Sequence, residues 1–115
     1  MKRGDVYWAN LDPRYGHEQS GQRPVILYQA DRLIGATTTV IAVPLTSNVR
    51  LVRLPTCILL PKGQANLSQD SVALAHQLRV LDKARIGKPI GVLSADFLAR
   101  LDEIILATLG IACPE

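Results

Sequence analysis

Hydrophobic and polar positions alternate in short runs through Leu81 and then change to three- and four-residue spacing, a pattern that predicts a β core followed by one helix. The first strand runs from Gly4 to Leu11 and ends at Asp12-Pro13, where proline withholds the donor a central ladder needs. Strand patterns recur at Pro24–Gln29, Thr38–Pro44, Thr56–Leu60 and Ser71–Leu81, with Gly, Pro, Asn and Asp between them. In the Ser71–Leu81 run the two-residue period puts Val72, Leu74, His76, Leu78 and Val80 on one face, and Ala73, Ala75, Gln77 and Arg79 on the other. Phe97, Leu98, Leu101, Ile104, Ile105, Thr108 and Leu109 form the apolar stripe of a helix from Ala95 to Leu109. Ser94 is its N-cap, Asp96 suits the positive end of its dipole, and Gly110 stops it. The expected fold is a curled sheet with one amphipathic helix packed on it.

Composition narrows the class. A chain of 115 residues with 48% hydrophobic and 20% charged residues is expected to form a single domain over 1–115 with its own core. The net charge is +3, and basic residues outnumber acidic ones seven to four up to Cys57 but only balance them afterwards. An anionic partner is therefore expected to meet the first half. Cys57 and Cys113 stand in no metal-binding spacing and are expected to be buried, reduced thiols, so no metal or other cofactor is expected. The start lacks the apolar run of a signal peptide and no stretch has the length of a membrane span, which points to a cytoplasmic protein with no membrane partner.

Chemistry-bearing side chains concentrate between Arg14 and Gln22, a segment with no apolar face to bury, expected to be a long surface loop. Gly16-His17-Glu18-Gln19-Ser20-Gly21-Gln22-Arg23-Pro24 gathers an imidazole, a carboxylate, amides, a hydroxyl and a guanidinium. These residues form either a solvated loop in which an arginine pairs with Glu18, or a site. Thr46-Ser47-Asn48 after the most apolar strand is either a turn or a second part of that site, and His76-Gln77 is either core or a third part. Tyr7, Trp8, Tyr15 and Tyr28 are the available flat surfaces; Tyr15 is expected to be exposed, and Trp8 is open between core and surface. Arg14, Arg50 and Arg53 either line a basic track or are solvated charge.

Arg3-Gly4-Asp5-Val6-Tyr7-Trp8, Leu11-Asp12-Pro13 and the run from Gly16 through Val25 resemble, in order and spacing, the N-terminal signature of the MazF/PemK toxin family. Val43-Pro44-Leu45-Thr46-Ser47 resembles that family's central strand, and the run from Ser71 to Arg79 its later strand with Gln77. The resemblance implies an SH3-like β-barrel with a C-terminal helix, assembled as a homodimer, that acts as a toxin. It implies a sequence-specific, metal-independent endoribonuclease that cleaves single-stranded RNA, including mRNA, to 2′,3′-cyclic phosphate and 5′-hydroxyl ends. It also implies a cognate antitoxin that neutralises the toxin and through which the complex binds operator DNA. Arg23 and Thr46 match the family's catalytic positions, with His17 as a further catalytic candidate. Glu18, Gln19, Ser20, Ser47, His76 and Gln77 are the substrate-binding candidates. Some relatives pair the loop histidine with an Arg and an Asp on the later strand, where this chain has Leu74 and His76, so His17 or His76 is left to assist Arg23 and Thr46. A non-enzymatic, gyrase-targeting toxin on the same fold is the alternative.

Overall fold

A computed structural model describes residues 1–12, 16 and 21–111. The strands are β1 (Asp5–Asn10), β2 (Gln22–Leu27), β3 (Thr39–Thr46), β4 (Cys57–Leu60), β5 (Ser71–Leu74), β6 (Arg79–Asp82) and β7 (Ile86–Val92). They form one antiparallel sheet in the order β4-β5-β3-β2-β1-β7, with β6 also paired to β3. The mainly β architecture with a C-terminal helix is thus the one expected; among the described residues the sheet is open between β4 and β7 and does not close into a barrel.

β3 organises the sheet. One edge pairs with β2, while the other pairs first with β6, through Ala42 opposite Arg79, and then with β5, from Leu45 opposite Ala73. Backbone groups alternate sides along a strand. The Ile41 carbonyl faces β2 and accepts from the Tyr28 N–H at 2.8 Å, so the Pro44 nitrogen faces the other edge, in the gap where β6 gives way to β5. That gap is why a proline is tolerated inside a central strand.

Both faces of β1–β3 are apolar. Val6, Ile26, Val43 and Leu45 pack against the helix α2 (Ala95–Leu109) through Leu101 and Ile105. Ala9, Val25, Leu27, Val40 and Ala42 pack on the opposite face with Ile34 of a short helix α1 (Asp31–Ile34). Each fully buried Leu or Ile on α2 contributes about 1.5–3 kcal/mol. As expected, the Ser94 hydroxyl caps α2, accepting from the Phe97 N–H at 3.4 Å, and Gly110 ends it in the left-handed conformation at φ +74°.

Three expectations are corrected. The single strand over Ser71–Leu81 is two strands separated by a 3₁₀ turn at Ala75–Gln77. Its face pattern breaks accordingly: Val72, Ala73 and Leu74 are all buried, since β5 has apolar residues on both sides, whereas Val80 is 60% exposed. β7 and α1 lie where no element was expected. In β7, Gly87, Pro89 and Gly91 hide the strand pattern, and its pairing to β1 carries register shifts on either side of Tyr7.

Candidate functional site

Antiparallel pairing brings the end of β1, the start of β2, the end of β3 and the start of β5 to one end of the sheet. A cleft of about 310 Å³ opens there. Its lining includes Arg23, Thr46, Ser47, Trp8, Asn66 and Gln69.

Arg23 and Thr46 reach the same cleft from neighbouring strands. The pairing of β2 with β3 ends at Val25 opposite Pro44, and each residue lies two positions beyond that last pair on its own strand. By strand parity both belong to the face that carries Val25 and Ala42. Arg23 is half-buried on β2, flanked by the core residue Val25. Thr46 is 7% exposed, and its Oγ1 accepts from the Asn48 N–H at 3.2 Å, so the turn after β3 fixes the hydroxyl and leaves its proton to donate. Ser47 is exposed at the same rim. A guanidinium and one or two hydroxyl donors in a cleft are the chemistry of an oxyanion site.

His76 does not line this cleft. It is exposed on the 3₁₀ turn after β5, and its Nδ1 is 2.7 Å from the Thr56 hydroxyl. Gln77 lies on the same turn, half-buried, and likewise does not line the cleft. His17, Glu18, Gln19, Ser20, Arg14, Tyr15 and Cys113 lie outside the described residues. Of the sequence-based candidates, the cleft therefore gathers Arg23, Thr46 and Ser47. The base of the 13–20 segment is built from described residues. The Asp12 carboxylate accepts from the Gly21 N–H at 2.8 Å, the Leu11 N–H donates to the Gly21 carbonyl at 2.9 Å, and the Arg85 guanidinium donates to the Asn10 and Asp12 carbonyls.

The cleft also contains Asn66, Ser68 and Gln69, which the sequence did not single out as site residues. They come from the segment between β4 and β5, whose approach to the cleft is a matter of topology and has no local signature. Trp8 is 42% exposed and lines the cleft, which resolves the choice left open for it.

Cys57 is buried, and that burial raises its thiol pKa more than the Thr56 hydroxyl lowers it, so it stays a protonated core thiol. Among the described residues no group of three His, Cys, Asp or Glu is placed to hold a metal ion, and no helix is long and apolar enough to cross a membrane.

The fold is shared with solved structures. MazF from Deinococcus radiodurans is 30% identical and superposes with a TM-score of 0.83 over 96% of this chain and 97% of that one. A MazE–MazF complex from the same organism gives 30% identity and a TM-score of 0.78, covering 97% of each chain. An endoribonuclease from a mycobacterial species, in complex with its cognate antitoxin, has the same fold at 23% identity and a TM-score of 0.80 over 99% of each chain. The family model for the PemK-like, MazF-like toxins matches residues 2–109, which takes in every strand and all of α2. The chain therefore belongs to the PemK-like, MazF-like toxins of type II toxin–antitoxin systems.

Proposed function

We propose that this toxin is a sequence-specific, metal-independent endoribonuclease acting on single-stranded RNA, mRNA in particular, in the cytoplasm. The observation that carries this reading is the meeting of Arg23 and Thr46 at one cleft beside the exposed ring of Trp8. In the reaction the ribose 2′-oxygen attacks the adjacent phosphorus; the new P–O2′ bond forms as the P–O5′ bond breaks. The 2′-hydroxyl gives up a proton and the departing 5′-oxygen gains one, leaving a 2′,3′-cyclic phosphate and a 5′-hydroxyl. Charge accumulates on the non-bridging oxygens, where the Arg23 fork and the Thr46 hydroxyl donate. Arginine stays protonated and an unassisted alcohol is a poor base, so the proton goes to another group, with His17 first in line. Ser47, at the cleft rim, contacts substrate, and Glu18, Gln19 and Ser20 are further substrate-binding residues.

The toxin is a homodimer neutralised by a cognate antitoxin, through which the complex binds operator DNA. Family resemblance and the exposed apolar side chains Leu59, Val80 and Val92 support the dimer. A monomer at micromolar concentration in sedimentation would exclude it.

The deciding experiment incubates pure protein and single-stranded RNA in EDTA, alongside an oligonucleotide with one 2′-deoxyribose at the cut site. Discrete fragments ending in cyclic phosphate, and resistance of the deoxy substrate, are expected. Strict metal dependence, or cleavage of the deoxy substrate, would overturn the mechanism; intact RNA together with gyrase inhibition would replace the function.

A further inference from the structure

The segment 66–69 lines the cleft, and the chemistry above does not use it. It begins in a conformation that has to be held. Ala65 and Asn66 are consecutive non-glycine residues with φ of +51° and +64°, where side chains crowd the backbone. Three contacts keep them there. The Asn66 side chain donates through Nδ2 to the Ile90 carbonyl of β7 at 3.1 Å. Gly91 admits the Ala65 carbonyl so closely that a Cβ there would lie 2.2 Å from its oxygen. The Gln64 side chain accepts from the Ser94 N–H at the start of α2 at 2.8 Å. The product of this construction is a cleft wall on which Ser68 and Gln69 are exposed, their side chains making no hydrogen bond to any described residue.

We infer that this wall reads one nucleobase of the substrate: the base stacks on Trp8, Gln69 hydrogen-bonds its edge with Ser68 beside it, and Asn66 is the positioning residue that sets the wall. The inference rests on the endoribonuclease reading. Its chemistry is that of single-strand recognition, in which an unstacked base lies on an aromatic ring and offers its edge to side-chain donors and acceptors. A glutamine amide presents one donor and one acceptor, matching the paired donor and acceptor on a base edge. A glutamate presents acceptors only, and guanine alone offers two neighbouring donors, N1–H and N2–H, to accept from.

The test maps the cut sites of wild type, Gln69→Ala, Gln69→Glu and Asn66→Gly on a randomised single-stranded RNA, with thermal melting to confirm folding. Gln69→Ala should lower discrimination at one nucleotide position on the order of tenfold. Gln69→Glu should move the preference there toward guanine. Asn66→Gly keeps the left-handed backbone but loses the bond to Ile90; it should relax the same position while disfavoured sequences are cut at the wild-type rate, whereas a merely structural role slows all sequences alike. Folded Gln69 variants with the wild-type profile, or uniform slowing in Asn66→Gly, would overturn the wall and leave the nuclease standing. A wild-type protein that cuts no RNA overturns both.

Discussion

The Tyr28 hydroxyl, just past the end of β2, donates to the Asp102 carboxylate of α2 at 2.5 Å. Arg3 pairs with the same carboxylate and lies over the Tyr28 ring, 4.9 Å from its centroid. The three side chains join the N-terminal segment, the sheet and the helix at one half-buried point.

This junction predicts an alkaline limb in stability. Burial pushes the Tyr28 hydroxyl up from 10.0 to about 12; the Asp102 hydrogen bond and charge add to the rise, and Arg3 opposes it. A pKa raised in the folded state means that the unfolded chain loses its proton first, so this contribution is full below pH 10 and is lost as pH rises toward 12. Urea denaturation of wild type between pH 9 and 12 should show a decline that Tyr28→Phe lacks. Near neutrality Tyr28→Phe should cost about 1 kcal/mol from the lost hydrogen bond. Identical pH slopes for the two proteins would refute the junction's role.

Removing either of the proposed transition-state donors should cost rate without unfolding the protein. Arg23→Ala is expected to lower kcat by ~10²–10³, typical of one such donor. Thr46→Ala removes a hydroxyl that also accepts from the Asn48 N–H, so it loosens the turn as well. Thr46→Ser keeps both functions and should retain most of the rate, which separates chemistry from turn stability. Wild-type rates from folded Arg23→Ala protein would take Arg23 out of the mechanism.

Gly91→Ala should destabilise the whole molecule. The added methyl would stand 2.2 Å from the Ala65 carbonyl oxygen, a backbone atom that cannot swing aside. Overpacking of this kind costs about 2 kcal/mol, which lowers Tm by roughly 8 °C in a chain of this size. Calorimetry that finds Tm unchanged would mean that β7 and the 64–66 turn yield more easily than their contacts imply.

The elements read correctly from sequence are those whose signals are local. α2 announced itself through a seven-residue apolar stripe between Ser94 and Gly110, and both ends behave as their chemistry requires. β7 was not legible, because Gly87, Pro89 and Gly91 break its pattern, and Gly91 serves a close approach to Ala65 that only the folded chain displays. The break at Ala75–Gln77 carries no Gly or Pro; it exists because β3 changes partners there. The site divides in the same way. Arg23 stood out in a polar, glycine-flanked cluster and Thr46 after the most apolar strand, and the family resemblance singled out both, while Asn66, Ser68 and Gln69 were silent because their place in the cleft depends on long-range pairing.

The two histidines should behave differently. His76 stays outside the cleft and is engaged with Thr56, so His76→Ala should leave kcat within about two-fold, as expected of an exposed substitution remote from the reacting atoms. His17→Ala should lower kcat and flatten the acid limb of its pH profile, since an imidazole acting as a base loses activity as it protonates. A profile altered by His76→Ala and untouched by His17→Ala would reverse the assignment of the base.

The antitoxin contact should be electrostatic and should lie beside the cleft. After Thr46, Ser47 and Asn48 the chain enters a 3₁₀ turn at Val49–Arg53 that exposes Arg50 and Arg53 together with Val49 and Val52, and Leu54 follows, also exposed. A surface mixing cations with uncovered apolar side chains suits a segment that is acidic and carries apolar residues of its own. Such a segment, disordered when free, meets its ordering cost with a long interface, and if it covers this turn it should also hinder access to the cleft at Thr46 and Ser47, which precede the turn in the chain. Reversing both charges, Arg50→Glu with Arg53→Glu, should weaken antitoxin binding by at least tenfold at low salt. The difference should shrink as salt rises, because screening removes from the wild type what the mutations removed already. Calorimetry across ionic strengths checks both the loss and its slope; equal affinities at low salt would place the contact elsewhere. A complex that cleaves RNA at the free toxin's rate would show that the antitoxin leaves the cleft open.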